Sequence, residues 1–315
     1  GAVPSALLTS QAASSSRAED ALIALEEGRK RRVGLKVLLT LPADLAPPWN
    51  VRPFILAKYR PQGGYAACSR SFFAIHNESC NIWSHAFGFA VFAWLIVQYV
   101  TMTVDSGDLF YGLLLLLSAA MCMFCSTMYH LYANHSEETF NWLFRCDLMG
   151  ISSMVAGGWF PGVYYGFYCL PEWRSFHLGM ASVAVVLAVA WPHTPASLRN
   201  RWTTTFYFAL AVVGTSPLCH WVFLNGLSSD EVQAFLFPLL GVMFTMAFGL
   251  VIFLSHAPER MAPGRFDVWG NSHTLWHICV LAGALQMYYS MISNQEWRHT
   301  HVCSPMSAST AHHIQ

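Results

Sequence analysis

Seven apolar runs constrain this chain more than any other feature of its sequence. They lie at 82–101, 109–132, 142–167, 173–191, 202–223, 233–255 and 273–292, the fourth being the shortest. Each is close to the ~20 residues an α-helix needs to cross a hydrocarbon core. Backbone groups in lipid must satisfy one another, so runs of this kind fold as helices. Composition agrees: 55% of residues are hydrophobic and 11% charged, against about 25% charged in soluble domains. The expected fold class is an all-α integral membrane protein, a bundle of seven transmembrane helices at 82–292. Short connections make consecutive helices antiparallel neighbours.

The flanks are of three kinds. Residues 1–45 begin Ala/Ser-rich, with the composition of a disordered segment. They continue as an amphipathic stretch with a basic cluster at Arg29, Lys30, Arg31, Arg32 and Lys36. That cluster suits contact with anionic lipid, or a plain topogenic flank. Residues 46–81, opened by Pro47-Pro48, are expected to be a juxtamembrane segment, with an interfacial helix in Val51–Ser79 lying against the bundle. Residues 293–315 form a His-bearing C-terminal tail. The chain begins at Gly1, so its natural N-terminus is expected to be missing.

Lys and Arg set the expected orientation. Ten precede the first run, and Arg145, Arg199, Arg201, Arg260 and Arg265 fall at turns on the same side. Only Arg174 and Arg298 fall opposite. The positive-inside bias therefore puts the N-terminus in the cytosol and the C-terminus outside or in a lumen, the reverse of a G-protein-coupled receptor. Net charge is zero, which removes the basic field of a nucleic-acid binder. Nine cysteines are scattered singly and do not read as a disulfide framework. Cys122-x-x-Cys125 sits mid-run with no second pair and reads as packing.

In that orientation four chemistry-bearing residues share one side. His130 ends the second run, Asp147 lies early in the third, and His273 and His277 open the seventh. Residues i and i+4 share a helix face, so His273 and His277 can aim at one point. A single histidine in a span is usually bonded to a neighbouring helix; three at one depth form a set. Three imidazoles with a fourth position for water make a catalytic zinc arrangement. Asp147 is the one carboxylate inside any of the seven runs, and a charge at that depth needs a partner or a polar cavity. It can accept the proton of an attacking water. Ser126, one turn before His130, can donate to a bound substrate. The expected metal ligands are His130, His273 and His277, the cofactor Zn²⁺, and the catalytic residues Asp147 and Ser126. His76, His85, Glu78 and Asn81 are expected to be structural, serving helix entry and loop hydrogen bonds. His177 and His220 are expected to pack or to line a pocket.

The chain resembles the progestin and adipoQ receptor family. The matching pieces are Tyr59-Arg60, His76-Asn77-Glu78 with Asn81 to His85, Ser126 to His130 with His135-Ser136, and Asp147. Tyr164-Tyr165 with Phe167-Tyr168-Cys169, Pro258-Glu259-Arg260, Pro263 to Asp267, and Ser272-His273 with His277 follow in family order. The resemblance implies a seven-span, N-inside bundle, zinc held by His130, His273 and His277, and Asp147 beside the metal. It also implies hydrolysis of ceramide to sphingosine and a fatty acid, or reception of a steroid or protein hormone. Asn81 to His85, His220 to Gly226, and Arg298-His299 with Cys303 resemble the Golgi-resident branch. That branch implies a scaffold tethering a cytosolic kinase through its N-terminal region, although residues 1–45 depart from every branch. Pro258-Glu259-Arg260 with Trp269 to His273 also resembles another branch, so a Golgi and a plasma-membrane location both stand. The expected partners are membrane lipids, a ceramide-like substrate, a steroid or protein hormone, and a cytosolic kinase.

Overall fold

The computed structural model describes residues 40–102, 105–301 and 303. The basic cluster at 29–36 and most of the 1–45 tail lie outside the described residues. Among the described residues eight α-helices follow one another: α1 Tyr65–Ser71, α2 Ser79–Met102, α3 Ser106–Tyr132, α4 Glu137–Gly166, α5 Pro171–Ala190, α6 Ala196–Asn225, α7 Asp230–Ser255 and α8 Ser272–Thr300. The last seven correspond to the seven apolar runs. No strand is present among the described residues; Leu41 and Tyr59 form an isolated antiparallel bridge.

Local chemistry sets the helix ends. Asp105 accepts from the Gly107 and Asp108 amides at the start of α3, and Ser136 accepts from Thr139 at the start of α4. Ser229 and Asn271 do the same for α7 and α8. Each side chain satisfies amide donors that a first turn leaves unpaired. Gly226, at φ 78°, stops α6 in a backbone conformation that a Cβ disfavours.

Six of the seven long helices are long and apolar enough to cross a membrane: α2, α3, α5, α6, α7 and α8. The run that falls short is not the brief fourth but the third, α4. It is 30 residues long and carries Glu137, Glu138, Arg145 and Asp147. It packs along the whole of α3 nonetheless. Gly150 meets the Cys122 backbone and Gly157 meets Ser118 so closely that a Cβ at either would collide. Small residues let helix backbones approach where lipid gives no hydrophobic drive between helices.

The core joins α2, α3 and α8 through Phe92, Leu95, Leu116, Met123, Val280 and Ala284. α4 closes onto it through Tyr165. α6 and α7 lie outside, with few buried residues. Their exposed Phe208, Val212, Phe237 and Phe244 are the surface a helix presents to lipid.

The segment before α2 differs from expectation. Of Val51–Ser79, only Tyr65–Ser71 and the opening residue of α2 are helical. The rest is an irregular cap folded over the end of the bundle that carries His130. Arg60, 2% exposed, donates to the His130 and Leu131 carbonyls at 2.6 and 2.7 Å. The Trp49 indole donates to the Ala133 carbonyl, Asn50 to Asn134, and the Leu56 amide to the Asp267 carboxylate. The Arg60 and Trp49 bonds satisfy carbonyls left free at the C-terminus of α3, while Ala46, Ile55 and Tyr59 give the cap a small apolar core of its own.

Three further departures lie at the opposite end. α3 begins at Ser106, so Asp108, which lies outside the 109–132 run, is a buried carboxylate on that helix. α8 continues to Thr300, so His299 is on a helix and reaches the Asp108 carboxylate at 2.7 Å. Cys169 and Cys303 form a disulfide, with their Cα atoms 5.4 Å apart. The partners are 134 residues apart, so neither spacing nor count exposes the pair. Cys122 and Cys125 are free thiols.

Candidate metal centre

His130 stands near the C-terminus of α3, and His273 and His277 occupy the first two turns of α8. The ring centroids form a near-equilateral triangle: 5.1 Å from His130 to His273, 4.7 Å from His130 to His277 and 4.8 Å from His273 to His277. One ring nitrogen from each lies within 4.8 Å of the others. His130 and His277 are buried and His273 half-buried.

Hydrogen bonds decide which nitrogens face inward. His130 Nδ1 is 2.8 Å from the Glu78 Oε2. An ionised carboxylate only accepts, so Nδ1 carries the proton and Nε2 a lone pair. His277 Nδ1 is 3.2 Å from the Asn81 carbonyl, which fixes the same tautomer. His130 Nε2 and His273 Nε2 stand 3.4 Å apart. Two zinc–nitrogen bonds of 2.0–2.1 Å at a tetrahedral angle put their nitrogens about 3.3 Å apart. With His130 and His277 held by their far nitrogens and the near nitrogens of all three rings converging, the cluster has the donor set and spacing of a metal site. These three histidines can hold a metal ion.

Asp147 on α4 faces the His130 imidazole and the Ser126 hydroxyl. Ser126 is buried, one turn before His130. All five residues expected from the sequence therefore meet at one end of the bundle. The Phe253 ring of α7 covers His273, with centroids 5.4 Å apart.

Glu78 and Asn81 do more than start a helix. Glu78 is wholly buried and receives three donors: His130 Nδ1 at 2.8 Å, Asn81 Nδ2 at 2.7 Å and Arg52 Nε at 2.8 Å. Burial opposes its charge, but Arg52 and His130 outweigh burial and hold its carboxyl well below the usual range. Asn81 accepts from the Thr274 hydroxyl at 2.7 Å and holds His277 through its carbonyl. His85 stacks on His277 at 3.9 Å, and its Nε2 lies 3.3 Å from the His277 carbonyl. Glu78, Asn81 and His85 follow an i, i+3, i+7 spacing, which puts them on one helix face. That polar face at a membrane entry is the sequence signal that was available for them. His76 is structural: its Nδ1 accepts the Glu78 amide and its Nε2 faces the Ser71 carbonyl. Burial and then Arg60 push its pKa down to about 3, so it stays neutral. His177 and His220 bond to each other at 2.9 Å, remote from the triad.

The haemolysin-III-related family model matches residues 73–288, a stretch holding Glu78, His130, Asp147, His273 and His277. Progestin and adipoQ receptor family member 3 of Mus musculus is 32% identical over 263 residues, covering 80% of this chain and 84% of that protein. Heptahelical transmembrane protein 1 of Arabidopsis thaliana is 29% identical over 258 residues, 78% of this chain and 77% of that protein. Adiponectin receptor protein of Drosophila melanogaster is 26% identical over 255 residues, 78% of this chain and 57% of that protein. With these matches and six apolar helices, the chain is a multi-pass integral membrane protein that belongs to the haemolysin-III-related, or progestin and adipoQ receptor, family.

Proposed function

We propose that this protein is a seven-span, receptor-type membrane protein that holds Zn²⁺ on His130, His273 and His277 and hydrolyses ceramide-like lipid amides. The observation that carries the reading is the triangle of imidazoles in which Glu78 holds the outer nitrogen of His130 and Asn81 that of His277. Zinc bound there supplies Lewis acidity to an amide carbonyl and lowers the pKa of water to about 7. Asp147 accepts the proton of the attacking water and passes it to the leaving amine. The Ser126 hydroxyl donates to the developing oxyanion. Phe253 keeps bulk water from the His273 side.

The triad faces the cytosol in this reading. Fifteen of seventeen Lys and Arg lie on that side. The Cys169–Cys303 disulfide is at the far end of α4 and α8, and disulfides persist in oxidising compartments. The family relatives named as receptors support a further role, in which a ligand on the far side shifts the bundle and alters turnover.

The test is zinc per purified chain and ceramide turnover, for the unaltered protein, His277→Ala and Asp147→Asn. Stoichiometric zinc with turnover lost in both variants is the expected result. Zinc near zero in the unaltered protein overturns the metal reading. Full zinc without turnover overturns hydrolysis and leaves a receptor, or a scaffold for a cytosolic kinase at the Golgi or plasma membrane.

A further inference from the structure

The cap grips His130 twice. Arg60 holds its backbone carbonyl at 2.6 Å. Arg52 holds Glu78 Oε1 at 2.8 Å, and Glu78 Oε2 holds the His130 ring at 2.8 Å. Arg52 is itself fixed by the cap: its amide donates to the Tyr59 hydroxyl at 2.9 Å, and that hydroxyl bonds the Ile55 carbonyl at 3.2 Å. Tyr59 is completely buried, and its backbone pairs with Leu41. A chain of contacts thus runs from Leu41 and Tyr59 through Arg52 and Glu78 to His130.

The same carboxylate reaches the second ligand. Glu78 Oε2 accepts from Asn81 Nδ2 at 2.7 Å, and the Asn81 carbonyl faces His277 Nδ1 at 3.2 Å. His273 has no such support, since its Nδ1 is buried without a hydrogen-bond partner. Two of the three imidazoles therefore depend on one buried carboxylate, and the only cation bonded to that carboxylate among the described residues comes from the cap.

We propose that Glu78 is the positioning residue of the metal centre and that Arg52 makes the folded 41–61 cap the element that sets metal affinity. The inference rests on the metal reading given above and adds control of that site from the cytosol-facing segment. Glu78 fixes the Nδ1–H tautomer of His130 and raises the basicity of its Nε2. Arg52 neutralises a carboxylate that would otherwise be buried without a cation. A displaced cap leaves Glu78 short of that cation, and the His130 ring loses its fixed orientation. Any binding event that peels Leu41–Tyr59 away thereby loosens the metal from outside the bundle.

The test loads purified full-length protein with Co²⁺. Its visible absorption reports the geometry of the ligand nitrogens, and chelator competition gives its dissociation constant. Glu78→Ala is expected to weaken Co²⁺ binding about 100-fold and Glu78→Gln about 10-fold, the range seen when an outer partner of a ligand is lost. Arg52→Ala is expected to weaken it about 10-fold and to alter the absorption bands. Arg52→Lys keeps the charge and is expected to recover most of the affinity, and it provides a folded comparison where Arg52→Ala misfolds. Asp108→Asn, at the far end, controls for general loss of stability and is expected to keep the unaltered spectrum and affinity. Equal affinity in all Glu78 and Arg52 variants overturns the proposal while leaving the metal reading intact. Matching losses in Asp108→Asn also overturn it. No Co²⁺ bound by the unaltered protein overturns the metal reading, and this proposal with it.

Discussion

The two ends of the bundle each hold a buried polar cluster, and the clusters differ in what their atoms do. At the far end the groups are paired with one another. Asp108 accepts from the Tyr165 hydroxyl at 2.6 Å and from His299 at 2.7 Å. Gln295 donates to the Tyr99 and Tyr165 hydroxyls, and Tyr99 donates to the Asp108 carbonyl. Arg298 bonds Glu231 and the Tyr165 carbonyl, and Glu231 also takes the Trp221 indole. At the end under the cap, hydrogen bonds fix the outer nitrogens of His130 and His277, and the inner nitrogens converge with that of His273. A closed network staples helices; converging lone pairs make a binding site. Buried polarity alone does not separate the two, whereas the pairing of each atom does.

The largest expected effect breaks one end and spares the other. His277→Ala removes one of the three ligands. Zinc affinity is expected to fall roughly 10²–10³-fold, since about 10–16 kcal/mol of binding is shared among four ligands. Metal analysis after dialysis should show near-zero zinc, and ceramide turnover should vanish with it. Asp108→Ala is expected to leave zinc unchanged. Loss of zinc in both variants would erase the distinction between the ends.

Asp147→Asn separates holding a metal from using it. Asn keeps the shape of Asp147 beside His130 and Ser126 but cannot accept a proton from water. Turnover is expected to fall about 10²–10⁴-fold, the contribution of a positioned general base. Zinc content should stay at that of the unaltered protein. Turnover within threefold would remove Asp147 from the chemistry.

Asp108→Ala tests the staple directly. The Tyr165 hydroxyl and His299 lose their acceptor, and an unpaired buried donor costs about 1–3 kcal/mol. Thermal unfolding in detergent should shift downward by a corresponding amount. An unshifted transition would show that the far-end network is dispensable.

The same contrast explains what the sequence made legible. His130, Asp147, His273 and His277 were readable because each lies inside an apolar run, where polarity is conspicuous, and because the runs fix depth. The outer groups were not. Glu78 meets His130 across 52 residues, and a Glu at a helix entry has an ordinary explanation in the helix dipole. Arg52 reads as one more positive charge on the cytosolic flank. α4 shows the converse: it carries Glu137, Glu138, Arg145 and Asp147 and is the one long helix among the described residues without a stretch apolar enough to count as a span. Polar residues within a helix thus blur the signal that identifies a span. The irregular part of the 46–81 segment was not legible, because donating to the carbonyls at the end of α3 leaves no periodic pattern.

The smallest effect lies within the metal end and asks how far the site extends. The Thr274 hydroxyl bonds the Asn81 side chain at 2.7 Å, one residue from His273. Asn81 holds His277 through its backbone carbonyl, not through that side chain. Thr274→Val keeps the shape and deletes the hydroxyl, so stability is expected to fall by about 1 kcal/mol. Metal affinity should stay within about threefold, because the carbonyl is fixed by α2 itself and by Glu78 through Asn81 Nδ2. A stability loss with intact affinity makes Thr274 a staple embedded in the metal end, equivalent to Tyr165 at the other. A tenfold or greater loss of affinity extends the support of the site from the Glu78 carboxylate into α8. The boundary between staple and site would then run through individual hydrogen bonds rather than between the two ends of the bundle.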